Sequence, residues 1–272
     1  MAVGSPAPPA LTGAAAPRED GGMAAYDFTA PRLFVEADLA PGTVMPLDRA
    51  GANYLLNVLR RGPGDPVLLF NGRDGEWRAE LSPSGRKSAD LIARERTRPQ
   101  PAPSDLHYLF APLKSARLDY LAQRAVEMGA GTIRPVFTRR TQGERINVER
   151  LRANAIEAAE QCGILAIPDL PEAAKLPVVL SDLAPERLLV FCDEDAPVAD
   201  PIAALRGASD PARPPPLAVL VGPEGGFAEE ERVMIRARPN SVVLSLGPRI
   251  LRADTAAVAV LALVQAVLGD AR

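Results

Sequence analysis

The sequence predicts an α/β protein whose longer, later part carries a largely parallel sheet, preceded by a small β-rich unit. Three observations lead there. Short strand-like runs separated by turn residues recur from about residue 31 to 98, and strand-like and helix-like runs alternate from about 106 onward. A Pro-rich stretch, "RPQPAPSD" (98–105), stands between the two patterns. Evenly spaced turns suggest a small barrel or compact sheet, and alternation suggests a parallel sheet covered on both faces.

The opening "MAVGSPAPPALTGAAAPREDGG" offers almost nothing to bury, so residues 1–30 are expected to be a disordered Ala/Pro-rich extension, dispensable up to Met23. It lacks the apolar core and charged leader of a signal peptide. The strand-like runs that follow are "RLFVEADL", "DPVLLFNG", "GEWRAEL" and "SADLIARE", separated by "APGTVMP", "RRGPGD", "NGRDG" and "SPSGRK". One helical interruption, "RAGANYLLNVLRR", sets Leu55, Leu56 and Leu59 on one face.

Beyond the Pro-rich boundary, "LHYLFAPL" reads as a strand and "SARLDYLAQRAVEMGA" as an amphipathic helix closed by Gly129. Leu118, Leu121, Ala125 and Met128 recur at helical spacing and are expected in the core. "TIRPVFT", "RLLVFCDE", "PLAVLVGPEGG" and "SVVLSLG" read as further strands, and "VERLRANAIEAAEQCG" and "AEEERVMIRAR" as further helices. The last helix is apolar on nearly all sides and needs burial beyond one face.

Composition narrows the function. The formal net charge of −3 means that a nucleic-acid partner needs a local basic patch. Cys162 and Cys192 fit a reducing compartment better than a disulfide scaffold. The one histidine, His107, excludes a His-rich metal cluster and is expected to be structural; no metal site is expected. The final apolar run falls short of the about 20 residues that a membrane helix takes. A soluble, cytoplasmic protein is expected.

In "LAVLVGPEGGF" (217–227) an apolar strand runs into a glycine-rich turn. A Walker loop would need Lys then Ser or Thr after the glycines, where this chain has Phe227 and Ala228. Glu229, Glu230 and Glu231 already complement the positive end of the following helix, and with Glu224 they disfavour a bound anion. A dinucleotide site fails on the same charge and on glycine spacing. A neutral or cationic adenosine ligand suits the loop, and so does a tight turn with no ligand. A second segment, "LSLGPRILRADTAAVAVLALVQAVLG", repeats the strand-then-glycine exit and sets Arg249 and Arg252 before a helix marked by Asp254 and Thr255. The exits at Gly222 and Gly247 can face each other only if their strands are neighbours, at the carboxyl ends where such sheets bind ligands.

Together these residues resemble the ribosomal RNA small subunit methyltransferase E family, of the SPOUT class. "LVGPEGGFAEEE" and "LGPRILRADTA" carry the resemblance most specifically; "LAQRAVEMGAGTIRPVFTRRT" and "AIEAAEQCG" follow the family order. "PRLFVE" and "NYLLNVLRRGPGDPVLLFNG" look like its PUA-like RNA-binding barrel. The resemblance implies a PUA-like β-barrel over 31–100 and a trefoil-knotted α/β SPOUT domain over 104–272. The knot follows from the resemblance alone, since spacing gives no reason for so rare a threading.

The implied activity is methylation of N3 of a uridine in 16S rRNA by S-adenosyl-L-methionine, in a homodimer. The resemblance implies that Gly222, Pro223, Glu224, Gly225 and Gly226 form one wall of the donor pocket. Leu246, Gly247, Ile250 and Leu251 would form the other, with Arg252, Asp254 and Thr255 near the methyl and the target base. Arg252 is the candidate catalytic residue; Asp254 or Glu224 is either a base or a loop-bracing carboxylate. Arg32, Arg60, Arg61, Arg86, Lys87, Arg139 and Arg140 are candidate RNA contacts or, singly, solvated charges. Asp254 stands where the family usually has Glu, Ile164 where it has Arg, and Ala228 where it has a Ser or Thr helix cap. The alternatives are a SPOUT methyltransferase for another RNA or base position, and a non-catalytic RNA-binding module with a degenerate pocket.

Overall fold

The computed structural model describes residues 29–271 except 86, 87, 114, 143, 144, 198, 199, 211 and 212. Arg86, Lys87 and the expectation about the first residues lie outside that set. The N-terminal sheet is built from β1 (Arg32–Phe34), β2 (Val44–Pro46), β3 (Pro66–Phe70), β4 (Glu76–Gly85) and β5 (Ser88–Arg98), in the order β1-β3-β4-β5-β2. Its pairings are antiparallel except β1 with β3. Val67, Leu69, Leu81 and Leu91 fill its core.

Two details depart from expectation here. Residues 44–46, inside a segment read as a turn, pair with β5, because a three-residue edge strand flanked by Pro and Gly leaves little pattern. The helical interruption divides into α1 (Arg49–Asn53), capped by the Asp48 carboxylate, and a π-helical turn over Tyr54–Val58. Leu55 is buried while Leu56 and Leu59 are partly so.

The second sheet holds β6 (Leu106–Phe110), β7 (Thr132–Phe137), β8 (Ala174–Lys175), β9 (Leu188–Cys192), β10 (Leu217–Val221) and β11 (Ser241–Leu244). All its pairings are parallel, in the order β11-β9-β10-β6-β7-β8. Every residue of β9 and β10 is buried, as sheets covered on both faces require. One face packs on α2 (Ser115–Glu127), α3 (Val148–Cys162), α5 (Pro201–Gly207) and α7 (Ala253–Val267); the other on α4 (Leu176–Asp182) and α6 (Glu229–Arg236). The sequence reading left out α4 and α5, two short helices that each carry Pro in the first turn. Leu121 and Ala125 are buried and Leu118 and Met128 pack against the core, as their spacing predicts.

The apolar last helix is covered by α2, α5 and β10, leaving Thr255, Ala262 and Ala266 as its exposed positions. Its demand for burial is met largely within the chain. Cys162 and Cys192 are unpaired, the first exposed and the second buried, and burial pushes the Cys192 thiol up to about 12. No helix among the described residues is long and apolar enough to cross a membrane.

Charged groups tie the two sheets together. Arg32 Nε and Arg98 Nη2 both reach Glu76 Oε2 at 2.8 Å, and Arg98 Nη2 also donates to the Gly163 carbonyl at the end of α3. The Phe34 N–H donates to Glu160 Oε1 at 2.8 Å. Arg32 is 7% exposed, so it braces this junction and does not reach a phosphate, correcting its reading as an RNA contact.

Candidate donor-binding cleft

At the carboxyl ends of β9, β10 and β11 the chain opens into a cleft of about 670 Å³. The exit of β10 supplies Gly222, Pro223, Glu224, Gly225 and Gly226; the exit of β11 supplies Leu246, Gly247, Ile250 and Leu251. Both walls named from the sequence therefore meet at one site. Their strands are not neighbours, however: β9 runs between them. Strands lie about 4.8 Å apart, so an intervening strand sets the two strand ends roughly 10 Å apart.

The β9 exit forms the floor, and it brings in Cys192, Asp193 and Glu194, which the sequence reading did not assign. Their signal was the acidic "CDE" after an apolar strand, the third strand end of the cleft. The Asp193 carboxylate is buried and held by Arg232 Nε at 3.1 Å and Arg236 Nη2 at 2.7 Å. Arg232 also reaches Glu194 at 3.1 Å and Asp195 at 2.8 Å. The three clustered carboxylates are thus engaged by guanidinium groups.

Local chemistry explains each wall. The first turns tightly, with Gly226 at φ 68° and its N–H donating to the Pro223 carbonyl at 2.9 Å. A side chain on Gly226 would overlap Glu194 Oε1, so two parts of the cleft approach through a bare Cα. In α6 the Glu231 carboxylate accepts from the Ala228 N–H at 3.0 Å; Ala228 has no oxygen to complete the reciprocal bond. In the second wall Gly247 takes φ 101°, a conformation that other residues rarely adopt. Ile250 stands out at 94% exposure on the lip of the cleft.

Arg252 caps α7 through its backbone and is exposed beside the lip; Asp254 and Thr255 lie in the first turn of the helix. None of these three lines the cleft. The Asp254 carboxylate accepts from the Thr255 N–H at 2.9 Å, a helix-start bond, and the Arg117 Nε lies 3.9 Å from it.

Arg139 and Arg140, read as RNA contacts, belong to the cleft's support. The Arg139 N–H donates to Glu231 Oε1 at 2.8 Å and its guanidinium lies 3.4 Å from Glu230; Arg140 Nη1 donates to the Gly225 carbonyl at 2.8 Å. On the N-terminal sheet, Arg61 Nη2 donates to the Thr29 carbonyl, and Arg60 is exposed with φ 54°.

Two family models match the chain: "RNA methyltransferase domain" over residues 100–265 and "RNA methyltransferase PUA domain" over 47–93. A ribosomal RNA small subunit methyltransferase E from Synechocystis is 31% identical over 253 residues, covering 90% of this chain and 78% of that protein. The chain belongs to this family. The enzyme of the same name from Rickettsia conorii is 29% identical over 86% of this chain and 94% of its own length. A solved member from Neisseria gonorrhoeae, bound to S-adenosyl methionine, superimposes with a TM-score of 0.73 at 25% identity, covering 89% of this chain and 99% of that one. The N-terminal sheet is accordingly PUA-like, and the parallel sheet with its helices is the SPOUT methyltransferase fold.

The residues present fit an S-adenosylmethionine donor. The cleft is lined by Glu194 and Glu224, each paired with an arginine, and by Arg249, and its glycine walls bring bare backbone to the lining.

Proposed function

We propose that the chain is an S-adenosylmethionine-dependent methyltransferase that methylates N3 of a specific uridine in 16S rRNA of the small ribosomal subunit. The single observation that carries this is the meeting of both glycine walls at one cleft in a member of this family. The chemistry the donor supplies when bound is an electrophilic methyl on a cationic sulfur. Gly222–Gly226 and Leu246–Leu251 hold and orient its adenosine, and near-attack alignment contributes much of the rate of such a transfer.

N3 of uridine carries a proton at neutral pH. The N3–H bond breaks to release a proton to a base or solvent, the new N–C bond forms, and the S–C bond breaks. Arg252, exposed beside the lip, stabilises charge that develops on N3 and the uracil carbonyl oxygens. Asp254 and Thr255 order the helix start beneath it. Because N3 lies on the pairing edge, the base is unpaired or swung out. Arg60 and Arg61 on the PUA-like sheet hold the RNA backbone.

The division into a PUA-like unit over 31–100 and a methyltransferase unit over 104–272 belongs to the same reading. So does a homodimer in which a second copy covers the lip at Ile250; light scattering that finds a stable monomer removes it. The cytoplasm is the compartment that this reading assigns, and no metal or membrane partner is part of it. Calorimetry with S-adenosylhomocysteine tests the donor site: binding is expected, and an absence of binding would leave an RNA-binding module.

A further inference from the structure

Arg117, in the first turn of α2, belongs to neither wall of the cleft, yet it touches the elements that carry both. Its Nη1 pairs with Glu224 Oε1, in the glycine loop after β10. Its Nε lies 3.9 Å from Asp254 Oδ2, in the first turn of α7 directly after the second wall. One guanidinium therefore lies between the glycine loop of the first wall and the helix start that follows the second. On its other side the same loop is tied by Arg140 Nη1, which donates to the Gly225 carbonyl at 2.8 Å.

Such ties matter because of what the loop lacks. Gly222, Gly225 and Gly226 bring no side chains to pack, and Glu224 is exposed. Between the buried Val221 and Phe227, the loop takes its position from backbone turns and charged braces. Removing Arg117 would also leave Glu224 and Asp254 without the cation that separates them, and like charges would push the walls apart. A guanidinium suits this bridging because it offers donors along two edges and can serve two carboxylates from different elements, whereas an ammonium is a single point charge.

We propose that Arg117 is a positioning residue for the methyl donor, setting the separation of the cleft walls through Glu224 and Asp254. The inference rests on the donor-site reading above and adds a residue to it.

The test is calorimetric titration of S-adenosylhomocysteine into the full-length wild type, Arg117→Ala, Glu224→Gln and the double variant, with thermal melting of each. Arg117→Ala is expected to weaken binding by about tenfold, and the double variant to bind no more weakly than the worse single one. Arg117→Lys is expected to recover part of the loss. Arg117→Gln carries the same comparison if the alanine variant does not fold. A purely structural arginine would lower the melting temperature while the folded protein kept its affinity. Wild-type affinity in Arg117→Ala, or losses that multiply in the double variant, would overturn the inference alone. A wild type that binds no S-adenosylhomocysteine would overturn the donor-site reading, and this inference with it.

Discussion

The ring of Phe227 occupies the space that a side chain on Gly222 would need: a Cβ there would fall 2.9 Å from Cδ2 and 3.0 Å from Cζ. Phe227 is buried and packs edge-on to Phe191 of β9, with ring centroids 4.9 Å apart. The first glycine of the loop is therefore bare for the chain's own packing, although it also lines the cleft. Gly222→Ala is expected to destabilise the fold by about 1–3 kcal/mol through overpacking, measured by denaturant unfolding.

Gly247 differs. Nothing lies within 4 Å of where its Cβ would be, but its φ of 101° strains any other residue. Gly247→Ala is expected to cost about 1–3 kcal/mol through backbone strain and to weaken S-adenosylhomocysteine binding, because relief of the strain moves a cleft wall. An unchanged affinity in calorimetry would remove Gly247 from the site.

Arg252 is exposed and stands between Leu251 and Ala253, which both line the cleft. Arg252→Ala is expected to lower kcat by about 100-fold or more while S-adenosylhomocysteine affinity changes far less. Single-turnover methylation of 16S rRNA separates the two quantities. Equal losses in both would make Arg252 a donor-binding residue.

Glu76 gives a pH signature. Burial pushes its carboxyl up, but hydrogen bonds from Arg98, Arg32 and Thr97 outweigh burial and hold it below its ordinary value of 4.5. A depressed acid adds stability that is present above the ordinary value and lost as pH falls through the folded one, so the loss is expected below pH 4.5. Glu76→Gln should flatten that part of the acid profile. At neutral pH it is expected to cost about 3–5 kcal/mol, because two cations lose their shared partner.

Ala228 leaves α6 with half of a capping box. Ala228→Ser is expected to add about 1 kcal/mol by supplying the missing acceptor, measured as a shift in the denaturation midpoint.

The parts of this protein that depend on neighbouring residues were legible in the sequence. "GPEGG" and "LGPRIL" each announce a turn by local chemistry, and both form cleft walls. What depends on distant pairing was not. Parallel strands are ordered by crossovers, so the insertion of β9 between β10 and β11, and with it Glu194 on the cleft floor, left no mark in either motif. Arg32 resembled a surface cation because its partner Glu76 lies 44 residues away, and Arg117 went unassigned because Glu224 lies 107 residues away.

The most direct test of the central claim is mass spectrometry of 16S rRNA after incubation with the purified chain and methyl-deuterated S-adenosylmethionine. The account expects one labelled methyl on N3 of a single uridine, absent with Arg252→Ala. Unlabelled rRNA under conditions in which the wild type binds S-adenosylhomocysteine would contradict it.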